Sequence, residues 1–435
     1  MDRTLHILLT AMSCLAMAIS TTYMISAIVP AILILVLYII MRSSVEQAFV
    51  TLLCISYFSA CFVIGSIGVF FVLPMAAILK FYPKCHYSQG FTVAFLLFLF
   101  IFSFLEIRYS TPGYLLERVS YLCCFFSLMG AFDVNKYNHK DTTFLLLLTL
   151  LIVNIFSIIM SGGISQFLVD NAVNIRMGDA DTDKYQHDTL DGSMGFPIHT
   201  IVMISLSLPI LMGNAIKKIF KVIIGSILIA MVFVTFLTTS KVYLLGLLGF
   251  ALCTLPVIFK KNGGVIAIFV IIIFAILNTQ DWFVEMVYDR YIFRLGDDAT
   301  DATSGRDEIF ASCIKYLMGN PLAIIFGLGY DSYIEIGRLN NLAFKMSAHN
   351  IILDALMGFG LLGCGLMVKA ANLMRRKISS TLHSKTSLLS WTPFLCWFIM
   401  CQTNTAFWLP KTYFIIPYLI IHTVCYKSLL SNEEY

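Results

Sequence analysis

His349 and Asn350 open an apolar run that reads SAHNIILDALMGFGLLG from Ser347 to Gly363. A segment bound for a lipid phase needs neither an imidazole at its mouth nor a carboxylate, Asp354, a turn and a half further in. An imidazole titrates near neutrality, so a histidine at such an edge can take a proton from a hydroxyl group. Upstream lies SGRDEIFASCIKYLMGNP, from Ser304 to Pro321. Ser304 and Asp307 have capping-box spacing, and Gly319-Asn320-Pro321 ends the helix they begin. On a helical period Arg306 shares a face with Phe310, Cys313 and Leu317, while Glu308, Ser312 and Lys315 lie elsewhere. An arginine on the apolar side either snorkels to lipid headgroups or reaches into a site beneath its helix, where its donor fork suits a phosphate. FGLGY follows, and Gly327 and Gly329 permit tight turns or close approach to a ligand beside Tyr330.

More cations surround these residues. Arg290, Arg294, Arg338 and Lys345 occupy the same loop. Lys241, in TTSK, interrupts a long apolar stretch and either snorkels or lines a cavity. Arg176 precedes the acidic segment MGDADTDKYQHDTLDG. Its D-x-D-x-D lacks the Gly and the bidentate Glu of a calcium loop, because Lys184 and Leu190 stand at those places. This reads as a solvated loop. His187 and His199 have no partners at metal or triad spacing, and the 12 cysteines show no zinc spacing. No metal site and no cofactor are expected.

These residues are carried by a membrane scaffold. The chain of 435 residues is 59% hydrophobic and 12% charged, and apolar runs of spanning length recur from end to end. An all-α polytopic membrane protein of about 14 spans is predicted. The first apolar run has no convincing cleavage site and is taken as a helix. Residues 3–41 and 45–80 each read as one hairpin or as one long tilted helix plus a re-entrant piece, with turn points at Ser20-Thr21-Thr22 and Gly65-Ser66; spans are expected over 45–63 and 348–369. With both termini cytoplasmic, the inner segments hold about 17 of the basic residues and about six acids, an asymmetry that favours this orientation. Residues 1–435 then form a single transmembrane domain. Two long loops, 161–196 and 281–347, fall outside, and the second carries short helices and the catalytic region. The net charge of +4 says nothing about nucleic acid, because the basic residues are segregated by topology, and no nucleic-acid partner is expected.

The order of motifs in the C-terminal half resembles the bacterial O-antigen polymerase and O-antigen ligase superfamily. The matching residues are Ser240-Lys241, Ser304-Gly305-Arg306, Asn320-Pro321, Gly327 and Gly329, His349-Asn350, and Gly358, Gly360 and Gly363. Lys241 departs from the family's usual arginine and lacks its bidentate fork. The resemblance implies a metal-independent glycosyltransferase of the bacterial inner membrane, with its site facing the periplasm. Its substrate would be an undecaprenyl-diphosphate-linked oligosaccharide, with membrane lipid and a chain-length regulator protein as partners. It makes His349 the base, Arg306 the cation that stabilises the leaving diphosphate, and the Gly358–Gly363 stretch a close-packing face. Lys241, Arg290, Arg294, Asn350, Gly327, Gly329, Tyr330 and Arg176 would bind substrate. Asp354 lies about 7.5 Å along the helix axis from His349 and about 140° around it. It is therefore expected to pair with another helix or line the cavity. Polymerase is the first reading and ligase the second. A flippase ranks third, because a transporter would show internal repeats and broken helices with midplane charges.

Overall fold

The computed structural model describes residues 1–64, 67–107, 112–167, 192–213, 216–237, 242–256, 306–329, 331–340, 348–382, 387–402 and 410–430. These are helical apart from turns and one antiparallel pair of two-residue strands, Val63–Ile64 with Ile67–Gly68. Four helices are long and apolar enough to cross a membrane: Arg3–Thr22, His139–Met160, Lys218–Phe236 and Ile351–Leu382. Several shorter apolar helices accompany them. The chain is a multi-pass membrane protein.

The N-terminal half opens with α1 (Arg3–Thr22), α2 (Val29–Arg42), α3 (Val45–Ile55) and α4 (Val72–Phe81). The first expected hairpin is present, but α1 runs through Ser20-Thr21-Thr22 and turns just beyond, where Met24 adopts φ 54°. The expected span 45–63 is shorter. α3 gives way to a 3-10 segment, Ser56–Cys61, and then to the small strand pair; Gly65-Ser66 lie outside the described residues. Next come α5 (Gln89–Ile107), α6 (Pro112–Ala131), α7 (His139–Met160), α8 (Gly192–Met212), α9 (Lys218–Leu237) and α10 (Val242–Pro256).

The C-terminal part contains three short helices, α11 (Arg306–Gly319), α12 (Pro321–Phe326) and α13 (Asp331–Leu339). They precede α14 (Ile351–Leu382), α15 (Leu388–Met400) and α16 (Pro410–Cys425). One large apolar core joins α1–α8 to α14, α15 and α16, with Leu228 from α9 and Val242 and Tyr243 from α10. A second, smaller cluster joins Ile309, Cys313, Leu317, Ala323, Ile336, Ala348 and Met357. It fastens α11, α12 and α13 to the mouth of α14. All twelve cysteines are free thiols, most of them buried.

α14 is longer than expected and is not continuous. Gly360 adopts φ 60°, ψ −176° and breaks it. The break is filled by the backbone of the FGLG segment. The N–H groups of Leu328 and Gly329 donate to the carbonyls of Met357 (2.7 Å) and Gly358 (2.9 Å). Gly327, at φ 75°, comes so close that a Cβ on it would lie 2.3 Å from the Gly358 oxygen. A Cβ on Gly360 would lie 2.4 Å from the Ile325 oxygen. One turn on, Gly363 admits Phe98 of α5, and Phe98 and Phe102 pack on Phe359. The expected close-packing stretch Gly358–Gly363 is therefore two contacts, a backbone interlock and an aromatic seat.

Candidate functional site

The site is assembled where α11 and α14 begin. Ile309, Cys313 and Leu317 are the buried residues of α11. Arg306, one turn before Ile309, is half-buried on the same side, while Glu308 and Lys315 are exposed. Ile309 and Ala348 belong to one apolar cluster, so the first turn of α11 is held against the residue before His349. No hydrogen bond or ion pair engages the Arg306 guanidinium among the described residues. Burial lowers its pKa below the usual arginine value. A cation in the first turn of a helix also opposes the helix dipole. Both costs are relieved by an anion.

His349 sits just before α14 with φ 50°, in the left-handed region. Its ring is largely withdrawn from water. Burial, and secondarily the charge of Arg306, push its pKa down to about 4. The imidazole is therefore neutral and able to accept a proton, and the second cause places Arg306 within electrostatic reach. The positive ends of two helices and one guanidinium converge beside a neutral histidine.

Asn350 and Asp354 hold this histidine in place. The Asn350 Oδ1 accepts from the N–H groups of Ile352 (3.0 Å) and Leu353 (3.1 Å), an N-cap that starts α14. Its Nδ2 lies 3.5 Å from the carbonyl of Gln402. The Ile351 N–H donates to Cys401 at 2.9 Å, tying the same turn to the end of α15. Asp354 is fully buried, and its Oδ1 accepts from the N–H of Ala348 at 2.8 Å. This interaction is local, six residues back along the chain. Ala348 and His349 are not helical, and the αL turn at His349 folds Ala348 back over the first turn.

Of the sequence-derived site residues, the structure brings together Arg306, His349 and Asn350. Gly327 and Gly329 stand close by, but the backbone they approach is that of Gly358 in α14. Lys241, Arg290, Arg294, Tyr330 and Arg176 lie outside the described residues, as do Ser304, Lys345 and His187. Arg338 is exposed and pairs with Glu335. His199 is buried, with Nδ1 3.2 Å from the Asn154 Oδ1 and its ring against Tyr57.

Sequence reasoning missed two groups. One is the role of Asp354 toward Ala348. The other is Lys411, whose Nζ lies 5.8 Å from the Tyr57 ring centroid at the start of α16. Its one sequence signal is a cation immediately after Pro410, at the head of an apolar run.

Residues 226–368 match the family model described as O-antigen ligase. This match, over about a third of the chain, supports its resemblance to the O-antigen polymerase and ligase superfamily. The matched segment contains Arg306, the Gly327–Gly360 interlock, His349 and Asp354, so the site described above lies within the superfamily's own region. The superfamily covers enzymes of the ligase or glycosyltransferase kind that act on lipid-linked glycans. No curated protein matches the chain.

Proposed function

We propose that this protein is an O-antigen polymerase that joins undecaprenyl-diphosphate-linked oligosaccharide repeat units at the periplasmic face of the bacterial inner membrane. The carrying observation is the pairing of a half-buried, unengaged Arg306 with a neutral His349 at the meeting of two helix N-termini. Such a place favours a diphosphate, whose charge grows as it leaves the sugar. The histidine beside it takes the proton of the acceptor hydroxyl. The glycan bond forms to that oxygen as the bond to the diphosphate breaks. The reading assigns the catalytic step no metal ion.

The distribution of charge supports the same reading. α14 starts at the site and carries Arg375, Arg376 and Lys377 near its other end. Basic residues favour the cytoplasmic side, which supports an outward-facing site. The broken helix, a feature expected of a transporter, carries little weight for a flippase here. The carbonyls of Met357 and Gly358, next to the break, are satisfied by Leu328 and Gly329.

A ligase that moves the finished glycan to lipid A core is the second reading, favoured by the wording of the matched family. The surface glycan of a strain lacking the gene separates the two. Loss of a polymerase leaves lipid A core capped with single repeats. Loss of a ligase leaves the core bare and polymer retained on its carrier, an outcome that would overturn the polymerase reading.

A further inference from the structure

At the other end of the helices, α1, α3 and α7 bring their first turns together around a cavity of about 140 Å³. Each start is capped: Asp2 accepts from Thr4 and Leu5, Ser44 and Gln47 form a reciprocal box, and Asn138 accepts from Asp141. α1 and α7 are long and apolar enough to cross a membrane. Their ends therefore mark the depth at which lipid headgroups lie.

Most polar groups around this cavity are satisfied. The Arg3 Nη2 donates to the Asp141 Oδ1 at 2.8 Å, and the His6 Nε2 lies 2.9 Å from the Thr51 Oγ1. Two groups are not. Glu46 is 2% exposed; its Oε1 accepts from the Asp133 N–H, but its Oε2 is buried with no hydrogen-bond partner among the described residues. The hydroxyl of Tyr137, 9% exposed, is in the same condition. Both residues line the cavity. A buried carboxylate oxygen without a donor is costly, so the cavity calls for an N–H or O–H group. A single water needs roughly 10–15 Å³, so the space admits a larger group. Arg3 and Lys136, both more than half exposed, stand at the rim.

We propose that this cavity binds the headgroup of an ethanolamine phospholipid. The primary ammonium donates to the Glu46 Oε2 and the Tyr137 hydroxyl, and the phosphate lies against Lys136 and Arg3. Choline, whose nitrogen carries three methyl groups and no N–H, cannot make the first contact. Glycerol headgroups lack the positive charge that Glu46 selects.

The test uses purified full-length protein in detergent, with lipid binding read by native mass spectrometry. Phosphatidylethanolamine, phosphatidylcholine and phosphatidylglycerol of identical chains compete in equal amounts. At least a tenfold preference for the ethanolamine lipid is expected, falling below twofold in Glu46→Gln. Tyr137→Phe, which removes only the hydroxyl, should lower the preference several-fold, and it decides the matter if Glu46→Gln does not fold. Equal retention of the three lipids overturns the proposal. So does a preference unchanged in the variants, which would mean that water alone fills the cavity. Binding of soluble phosphoethanolamine without preference for its lipid also overturns it.

Discussion

The Asp354 carboxylate accepts a hydrogen bond from the backbone of Ala348 at 2.8 Å, six residues back and immediately before His349. His349 adopts a left-handed backbone that side-chain-bearing residues enter at a cost of roughly 1–2 kcal/mol. Strained conformations persist only where neighbours over-determine them. The carboxylate fixes the residue before the histidine, and the Asn350 cap fixes the turn after it.

Asp354→Asn keeps an acceptor for the Ala348 N–H and should retain kcat within a few-fold. Asp354→Ala leaves that N–H buried and unpaired, at about 1–3 kcal/mol, and lets the turn relax. Its kcat should fall at least tenfold with little change in KM. Steady-state kinetics on protein matched for folded content decide this. Equal impairment of both variants would show that the carboxylate's charge matters and its acceptor role does not.

The pH dependence has a defined sign. The His349 pKa is lowered from the ordinary 6.5 to about 4. Between these values the folded protein binds fewer protons than the unfolded chain. The histidine's contribution to stability is therefore complete above about 6.5 and is lost as the pH falls toward 4. Activity follows the same group. The acid limb of kcat/KM reports the free enzyme and should lie near 4. The limb of kcat reports the complex, in which a bound diphosphate offsets Arg306 and raises the imidazole toward the working range. It should therefore lie at higher pH. Coincident limbs near 6.5 would show that His349 does not control the rate.

The membrane character and the partnership of Arg306 with His349 were legible in the sequence because both rest on local signals. The signals are apolar length, the helical period of Phe310, Cys313 and Leu317, and a polar pair at a helix mouth; the structure buries Ile309 in place of Phe310. The break at Gly360 was not legible. Gly358, Gly360 and Gly363 read equally well as a smooth packing stripe, and what breaks the helix is backbone arriving from Gly327 and Gly329. The bond from Ala348 to Asp354 was not legible for a related reason. Helical geometry carries it away from His349, and only a non-helical turn at 348–350 brings Ala348 within reach. Lys411 was passed over because one cation at the head of an apolar run is ordinary, and only the fold sets it over Tyr57.

The interlock gives a glycine prediction with its own control. Gly327→Ala and Gly360→Ala each add a Cβ at positive φ and within 2.5 Å of backbone atoms that cannot move aside cheaply. Each should cost several kcal/mol, summed from about 1–2 for the conformation and more for the displaced backbone. Gly319, at the end of α11, has open space around its Cβ position. Gly319→Ala should change stability by no more than about 0.5 kcal/mol. Thermal unfolding in detergent measures all three. If Gly360→Ala is as stable as Gly319→Ala, the FGLG backbone does not fill the break.

The Arg306 series separates the two readings of a half-buried arginine. If Arg306 binds the diphosphate, Arg306→Ala removes a charged hydrogen bond of about 1.5–3 kcal/mol, and polymer formation from purified lipid-linked repeats should fall roughly 10- to 100-fold. Arg306→Lys keeps the charge and loses the fork, so it should recover only part of that rate. The substitution has a second consequence that headgroup contact cannot produce. Arg306 is one of the two causes that lower the His349 pKa. Without it, the acid limb of kcat/KM should move upward from about 4 toward 6.5, while Arg306→Lys should leave it near its original place. A rate within threefold of the parent together with an unmoved acid limb would make Arg306 a headgroup contact and leave the diphosphate to other cations.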